Sequence, residues 1–299
     1  MRTQNQIKKT KSAFIATLVG LFVVTGCASF KQQTIVIDNS TAKGQAKIIS
    51  YNIRRGDLAK DDGSNAWKKR RNATLEMIKR EAPSAFGLQE ALIDQVQFIA
   101  KAFPQYGHVG VGRDNGKTGG EIMAIFYLKD KFTLLDSGTY WLSETPDKVS
   151  RGWDAACNRT LTWVKLQEKT TGKTLYYFNT HLDHKGEIAR QESVKLIVQI
   201  INDKVPAGTA VVLGGDLNST IENAIFDPLR NNGMLSARAT APVTDGKGTF
   251  NAFGTAPTGI ILDHFFLRNT KAISFRTLDG DYGAPYISDH YPIETVIEL

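Results

Sequence analysis

The chain has 299 residues, 41% of them hydrophobic and 22% charged, which are ordinary values for a folded globular protein and too apolar for a disordered one. Its formal charge of +7 suggests a polyanion-binding surface, yet four of its basic residues (Arg2, Lys8, Lys9, Lys11) lie in the first 27 positions, where there is no acid. Without those four, the balance against 30 Asp and Glu falls to +3, which excludes charge as an argument for binding long nucleic acid.

The basic opening leads into an apolar run from Ala13 to Val24, too short to span a bilayer as a helix but suited to the hydrophobic region of a secretory signal. The run ends in Val24-Thr25-Gly26-Cys27, which is similar to a bacterial lipobox, with small residues for the signal peptidase and Cys27 as the residue that receives lipid. Residues 1–27 are therefore expected to be a lipoprotein signal peptide, residues 28–44 a tether, and residues 45–299 one domain. Ala28 and Ser29 lack the Asp that marks inner-membrane retention, so the expected location is the cell envelope, at the outer membrane. With Cys27 lipidated only Cys157 remains, so no internal disulfide is available, and Cys157 reads as a packed small residue.

Past the tether, strands and helices alternate. Lys47 to Tyr51 is β-branched and predicts a strand, followed by a polar loop and a helix over Trp67 to Arg80 that stops before Pro83. Ala85 to Leu88 predicts a short buried strand and Ala91 to Ala102 a second helix. Ile122 to Leu128 and Phe132 to Trp141 read as a strand pair around Lys129-Asp130, and Leu161 to Leu166 with Leu175 to Asn179 as another around Thr171-Gly172. Glu187 to Asn202 is amphipathic, with Ile188, Val194, Ile197, Val198 and Ile201 expected inside. Ala210 to Gly214 predicts a fully buried strand, and Ile260 to Leu267 and Ile293 to Leu299 close the chain. Hairpins mixed with strand-helix-strand units point to an α/β fold of helix-covered sheets and not to a parallel barrel.

Polar residues gather at the ends of these strands, the usual position for a site on an α/β scaffold. They are Ser50-Tyr51-Asn52, Gln89-Glu90, Asn179-Thr180-His181, Gly215-Asp216-Leu217-Asn218, Leu262-Asp263-His264 and Ser288-Asp289-His290. Any one of them could terminate a strand or cap a helix. Six together, each joining an oxygen ligand or a histidine to a buried strand, do not read as caps. An acid inside the run from Ile260 to Leu267 needs a partner.

In order and composition these segments resemble the endonuclease/exonuclease/phosphatase superfamily, the deoxyribonuclease-I-like metal-dependent phosphoesterases, from about Ala46 to Leu299. The stretch Trp141 to Pro146, continuing to Asn158-Arg159, is most similar to the branch of bacterial phosphoesterases and deadenylase relatives. The resemblance implies a four-layer α-β-β-α sandwich of two mixed β-sheets with the site at one rim. It implies Glu90, Asn52 and Asp289 around the metal, Asp216 on the attacking water, and Asn218 on a phosphate oxygen. It further implies His290 paired with Asp263, His181 oriented by Glu121, and Arg159 approaching the phosphate. Scattered histidines and one free cysteine do not supply a zinc site, whereas one or two carboxylates suffice for Mg2+, for which Mn2+ can substitute.

Two segments invite over-reading. Gly112 to Thr118 has the look of a phosphate-binding loop, but its required first glycine falls on Val111, and it reads as a mobile hairpin loop at the cleft mouth. Trp153, near Arg151 and Arg159, is either a stacking residue for substrate or a packed side chain. The substrates left open are nucleotides, short or single-stranded nucleic acid and other small phosphates, with a phospholipid or sphingolipid headgroup less favoured. A non-catalytic envelope binding protein on the same fold is the alternative from another class.

Overall fold

The computed structural model describes residues 41–299, so the signal peptide, Cys27 and most of the tether lie outside the described residues. In chain order the first elements are β1 (Gln45–Asn52), α1 (Ala59–Asp62), α2 (Trp67–Glu81), β2 (Ala85–Gln89), α3 (Ile93–Ala102), β3 (Tyr106–Val109) and β4 (Ile125–Leu128). Then come β5 (Phe132–Trp141), β6 (Thr160–Glu168), β7 (Thr174–His181), α4 (Glu187–Lys204) and β8 (Ala210–Asp216). The chain ends with α5 (Asp227–Asn231), β9 (Leu235–Ser236), α6 (Ala237–Thr240), β10 (Asp263–Arg268), β11 (Ala272–Thr277) and β12 (Ile293–Glu298).

The strands form two mixed six-stranded sheets, ordered β11-β12-β1-β2-β4-β3 and β5-β6-β7-β8-β10-β9. Each contains one parallel pair, β1 with β2 and β7 with β8, and each pair is joined through a helix, α2 or α4. Ile48, Val164, Tyr177, Val212, Phe265 and Ile293 fill the space between the sheets. One outer core packs Met77, Ile78 and Ile99 against Ile49, Phe86 and Phe126, and the other packs Val194, Ile197 and Ile201 against Phe178, Val211 and Leu213. The result is the expected four-layer α-β-β-α sandwich.

Three local expectations need correction. β4 and β5 do not pair: β4 lies between β2 and β3, β5 pairs with β6, and the turn at Lys129-Asp130 carries the chain from one sheet to the other. Ile188 is 53% exposed because it sits in the first turn of α4 and faces solvent, while Val194, Ile197 and Ile201 are buried as expected. Ala91 precedes its helix and bridges to Ile122. The helix before Pro83 ends where Ala82 turns left-handed, at φ 46°.

Topology determines where the polar motifs meet. β1, β2, β7 and β8 all end at one rim, and β10 and β12 run antiparallel to β8 and β1, so they begin there. Asp263 pairs in register with Asp216, and His181 with Asp216. Residues separated by more than 200 positions are thus brought together by strand direction alone.

Candidate active site

The floor of the rim is a buried polar tie between the two sheets. Gln89 donates from Nε2 to Asn179 Oδ1 at 2.7 Å and to Ser50 Oγ at 3.1 Å, and Asn179 donates from Nδ2 to the carbonyls of Leu88 and Ala124. A side chain at Gly87 would come within 2.5 Å of the Tyr177 hydroxyl and 2.7 Å of Asn179, so only glycine leaves room for this tie. Gly215 has φ +155°, and a Cβ there would lie 2.0 Å from the Thr180 carbonyl oxygen. Its absence lets β8 close on β7 one residue before Asp216.

Above the floor stands a chain of buried ionisable groups. Asp263 Oδ2 lies 2.8 Å from His290 Nδ1, and His290 Nε2 lies 3.6 Å from Asp216 Oδ2. Burial opposes charge on His290, but Asp263 and then Asp216 outweigh it and push the imidazole up to about 10, so it is protonated at neutral pH. Burial pushes the Asp216 carboxyl the other way, up to about 7, against the pull of His290. The backbone N–H of Asn218 donates to Asp216 Oδ1 at 3.0 Å, and Asn52 Nδ2 donates to Oδ2 at 3.0 Å.

The second histidine is held differently. Asn218 Nδ2 contacts both the Leu182 carbonyl, at 2.9 Å, and His181 Nε2, at 3.0 Å. The carbonyl identifies that end of the amide as nitrogen, so His181 Nε2 accepts and the ring is neutral. Burial, and then the positive charges of Arg159 and His290, push this imidazole well below its usual range, in agreement. Its Nδ1 is buried with no hydrogen-bond partner. The expected orientation of His181 by Glu121 is not what the geometry shows. Glu121 is taken instead by Arg113 Nη1, at 2.5 Å, and by Arg55 Nη1, at 3.5 Å, because guanidinium groups offer the buried carboxylate a stronger counter-charge.

Glu90, Asn52 and Asp289 lie on the neighbouring side. Glu90 adopts a left-handed φ of 59°, a conformation that costs about 1–3 kcal/mol for a non-glycine residue and is common where function dictates geometry. Its Oε1 accepts from Asn52 Nδ2 at 3.1 Å and its Oε2 from the Arg55 backbone N–H at 3.3 Å. Asp289 accepts from Ser288 Oγ at 3.1 Å and pairs with Arg54 at 3.4 Å. Burial, then the charge of Glu90, push the Asp289 carboxyl up against the pull of His290. Two carboxylates and an amide side by side, a set of oxygen donors without sulfur, fit a hard divalent cation. Ligation through Asn52 Oδ1 requires that amide to turn, since its nitrogen faces Glu90 and its oxygen accepts from the Arg54 N–H.

Two trios cluster closely enough to hold an ion: Asp216, Asp263 and His290 at the rim, and Cys157, Asp183 and His184. Asp183, however, is saturated: it accepts from the backbone N–H groups of Ala156, Lys185 and Gly186 and from Arg159 Nε, and against burial these hold its carboxyl far below the usual range. Its work is to hold Arg159, whose Nη2 meets His184 Nδ1 at 2.9 Å and whose Nη1 is buried and unpartnered. Trp153 is half-buried with φ 48°, and the next residue, Asp154, caps α4 by accepting from the Ala189 and Ile188 N–H groups.

Some participants carried no clear sequence signal. Arg54 and Arg55 come two and three residues after Asn52, and this nearness is the one clue to them. Arg70, fully buried on α2, donates to the carbonyls of Ile53, Arg54, Asn65 and Ile287, pinning the loops that carry Asn52 and Asp289. Arg113 anchors the Gly112–Gly120 loop, in which Gly112 N–H donates to the Lys117 carbonyl and Asp114 N–H to that of Gly119. Within it Asn115 Oδ1 accepts from the Lys117 and Gly119 N–H groups.

A model of the endonuclease/exonuclease/phosphatase family matches residues 49–290. An endonuclease/exonuclease/phosphatase of Bacteroides vulgatus is 36% identical, with a TM-score of 0.81 over 86% of this chain and 100% of its own. The mannosyl-6-phosphatase of Bacteroides thetaiotaomicron VPI-5482 is 30% identical, with a TM-score of 0.80 over 85% of this chain and 100% of its own. At 18% identity, the human Nocturnin catalytic domain with bound sulfate shares the fold, with a TM-score of 0.67 over 85% of this chain and 93% of its own. No curated protein matches the chain. The sandwich, the rim and these similarities lead to one conclusion: the chain belongs to the endonuclease/exonuclease/phosphatase family, metal-dependent enzymes that hydrolyse phosphate esters.

Proposed function

We propose that this protein is an exported, lipid-anchored phosphatase that uses Mg2+ to hydrolyse a small phosphate ester, a phosphorylated sugar in preference to a nucleic acid. The observation that carries the reading is the buried Asp263–His290 pair, 2.8 Å apart, set against Asp216. The sugar preference rests on the similarity to a mannosyl-6-phosphatase and on the near-neutral charge of residues 28–299. The lipid anchor rests on Val24-Thr25-Gly26-Cys27 alone, and the division into residues 1–27, 28–44 and 45–299 follows from it. Among the described residues no helix is long and apolar enough to cross a membrane.

Glu90 and Asp289, with Asn52, are the residues that would hold the cation, which supplies positive charge to a phosphoryl oxygen; Mn2+ fits the same donors. Asp216, raised by burial, accepts a proton from the attacking water, as a general base near neutral pH should. Charged His290, steadied by Asp263, donates a hydrogen bond to the phosphoryl oxygens as negative charge grows there. Asn218 and His181 line the same corner, and the free Nη1 of Arg159 is a preorganised donor for phosphate. Glu121 acts at one remove, holding Arg113 and Arg55. Trp153, half-buried on the stretch that leads to Arg159, is assigned as a stacking surface for substrate. The test is a panel of phosphomonoesters, phosphodiesters, nucleotides, RNA and DNA assayed with Mg2+ and with chelator. Chelator-sensitive release of phosphate from sugar phosphates supports the reading, and turnover confined to DNA or RNA overturns the substrate class.

A further inference from the structure

Beside His290 lies a cavity of about 560 Å3 to which no role attaches, within the usual range for a small-ligand site. Its wall is built directly on the strand entry that carries the proposed catalytic residues. Phe250 bridges to His290 through the backbone, and its ring packs edge-on against the imidazole, with centroids 5.0 Å apart. The N–H groups of Asn251 and Ala252 donate to the Asp289 carbonyl, and that of Tyr291 to the Thr249 carbonyl. Ala252 and Phe253 adopt consecutive left-handed conformations, at φ 44° and 54°, strain that no glycine relieves. Two further rings, Tyr286 and Tyr291, line the cavity 6.4 Å apart, and both are partly exposed. At the lip, Lys247 Nζ sits 2.8 and 2.7 Å from the two oxygens of Asp279.

We propose that this cavity seats the sugar of a phosphorylated carbohydrate whose phosphate reaches His290, with Phe250, Tyr286 and Tyr291 as stacking faces and the Lys247–Asp279 pair as a hydrogen-bonding lip. The inference rests on phosphoester hydrolysis at the neighbouring site. Three features select a sugar. The weakly positive C–H face of a pyranose complements the negative face of an aromatic ring. Each sugar hydroxyl both donates and accepts, and a lip made of one ammonium donor and one carboxylate acceptor serves both demands at once. That lip is also a neutral ion pair, so the cavity offers no cationic track of the kind that follows a nucleic-acid backbone. Four glycines in the lining, Gly246, Gly248, Gly254 and Gly259, place no side chains in the space.

The test compares wild type with Tyr286→Ala, Tyr291→Ala and Lys247→Ala, assaying mannose 6-phosphate, AMP and methyl phosphate with Mg2+. Each tyrosine variant is expected to lower the ratio of kcat/KM for mannose 6-phosphate to that for methyl phosphate by about threefold to tenfold, the worth of one ring contact. The double variant should lose at least as much as the worse single variant, and less than the product of the two, because the rings are neighbours. Saturation-transfer NMR with methyl α-mannoside gives a readout independent of turnover: signal is expected from the wild-type protein and is lost in the double tyrosine variant. An unchanged ratio, a loss confined to AMP, or no saturation transfer to the mannoside would overturn the assignment. Failure of the underlying reading looks different, since no ester in the set would then turn over while transfer to the mannoside persists.

Discussion

Replacing Asp263 with asparagine tests the proposed catalytic pair with the least disturbance to shape. Asp263 Oδ2 accepts from His290 Nδ1 at 2.8 Å, while Oδ1 is buried without a partner. An asparagine can therefore keep its carbonyl on the ring and turn its amide away, so the variant loses charge more than geometry. In the wild-type protein, Asp263 and Asp216 overcome burial and hold His290 charged up to about 10. Without Asp263 the alkaline limb of kcat should move down toward and below the ordinary value near 6.5, about 1.4 kcal/mol for each unit of displacement. A positioned proton-transfer or charge-stabilising group contributes about 10²–10⁴-fold, so His290→Ala should lower kcat by at least about 10²-fold. Asp263→Asn should be impaired as well, and the double variant scarcely worse than His290→Ala, because the two act as a unit. The assay is kcat against pH for the four proteins, with an NMR titration of the His290 ring. Fully multiplicative losses, or an alkaline limb that stays in place in Asp263→Asn, would refute the pairing. The same shift has a consequence for folding: since the folded value lies above the unfolded one, the pair stabilises fully below about pH 6.5 and that contribution is lost as pH rises through about 10.

Glu90→Ala should abolish activity or demand far more Mg2+ with little change in melting temperature in metal-free buffer; full activity in excess chelator would contradict the metal corner. Gly87→Ala drives a methyl group into the Tyr177 hydroxyl and the Asn179 amide, so urea denaturation should show a loss of about 1–3 kcal/mol or more. A stability equal to wild type would mean that the inter-sheet tie is not rigid. Cys27→Ser should leave an unlipidated precursor, and normal fatty-acid labelling of that variant would sink the anchor.

The motifs most legible in the sequence were those with two constraints at once, an apolar strand and a polar residue at its end. Asn52, Glu90, His181, Asp216, Asp263 and His290 all meet that description, and strand direction brings them to one rim. Strand partners were less legible, because β4 and β5 are separated by a turn that looks like any hairpin turn. Only the pairing itself, β4 with β2 and β3 but β5 with β6, reveals that the turn changes sheets. β3 and β11 are short, with irregular alternation between buried and exposed positions, and left no pattern to read. The partner expected for His181 was wrong for a physical reason: a buried carboxylate binds the guanidinium within reach, and Arg113 gave no hint in sequence of lying beside Glu121. Arg70 was hidden in the same way, as one basic residue of a helix in which Lys68, Lys69 and Arg71 are also basic.

In the proposed reaction water attacks phosphorus at this rim, on a substrate held beside Asp216 and His290. Hydrolysis of mannose 6-phosphate in 18O-labelled water, followed by 31P NMR of the released phosphate, tests it directly. The label is expected to enter inorganic phosphate, in a reaction that depends on Mg2+ and falls sharply in Asp216→Asn. Label found instead in the sugar hydroxyl, or labelled phosphate released at an undiminished rate by Asp216→Asn, would contradict it.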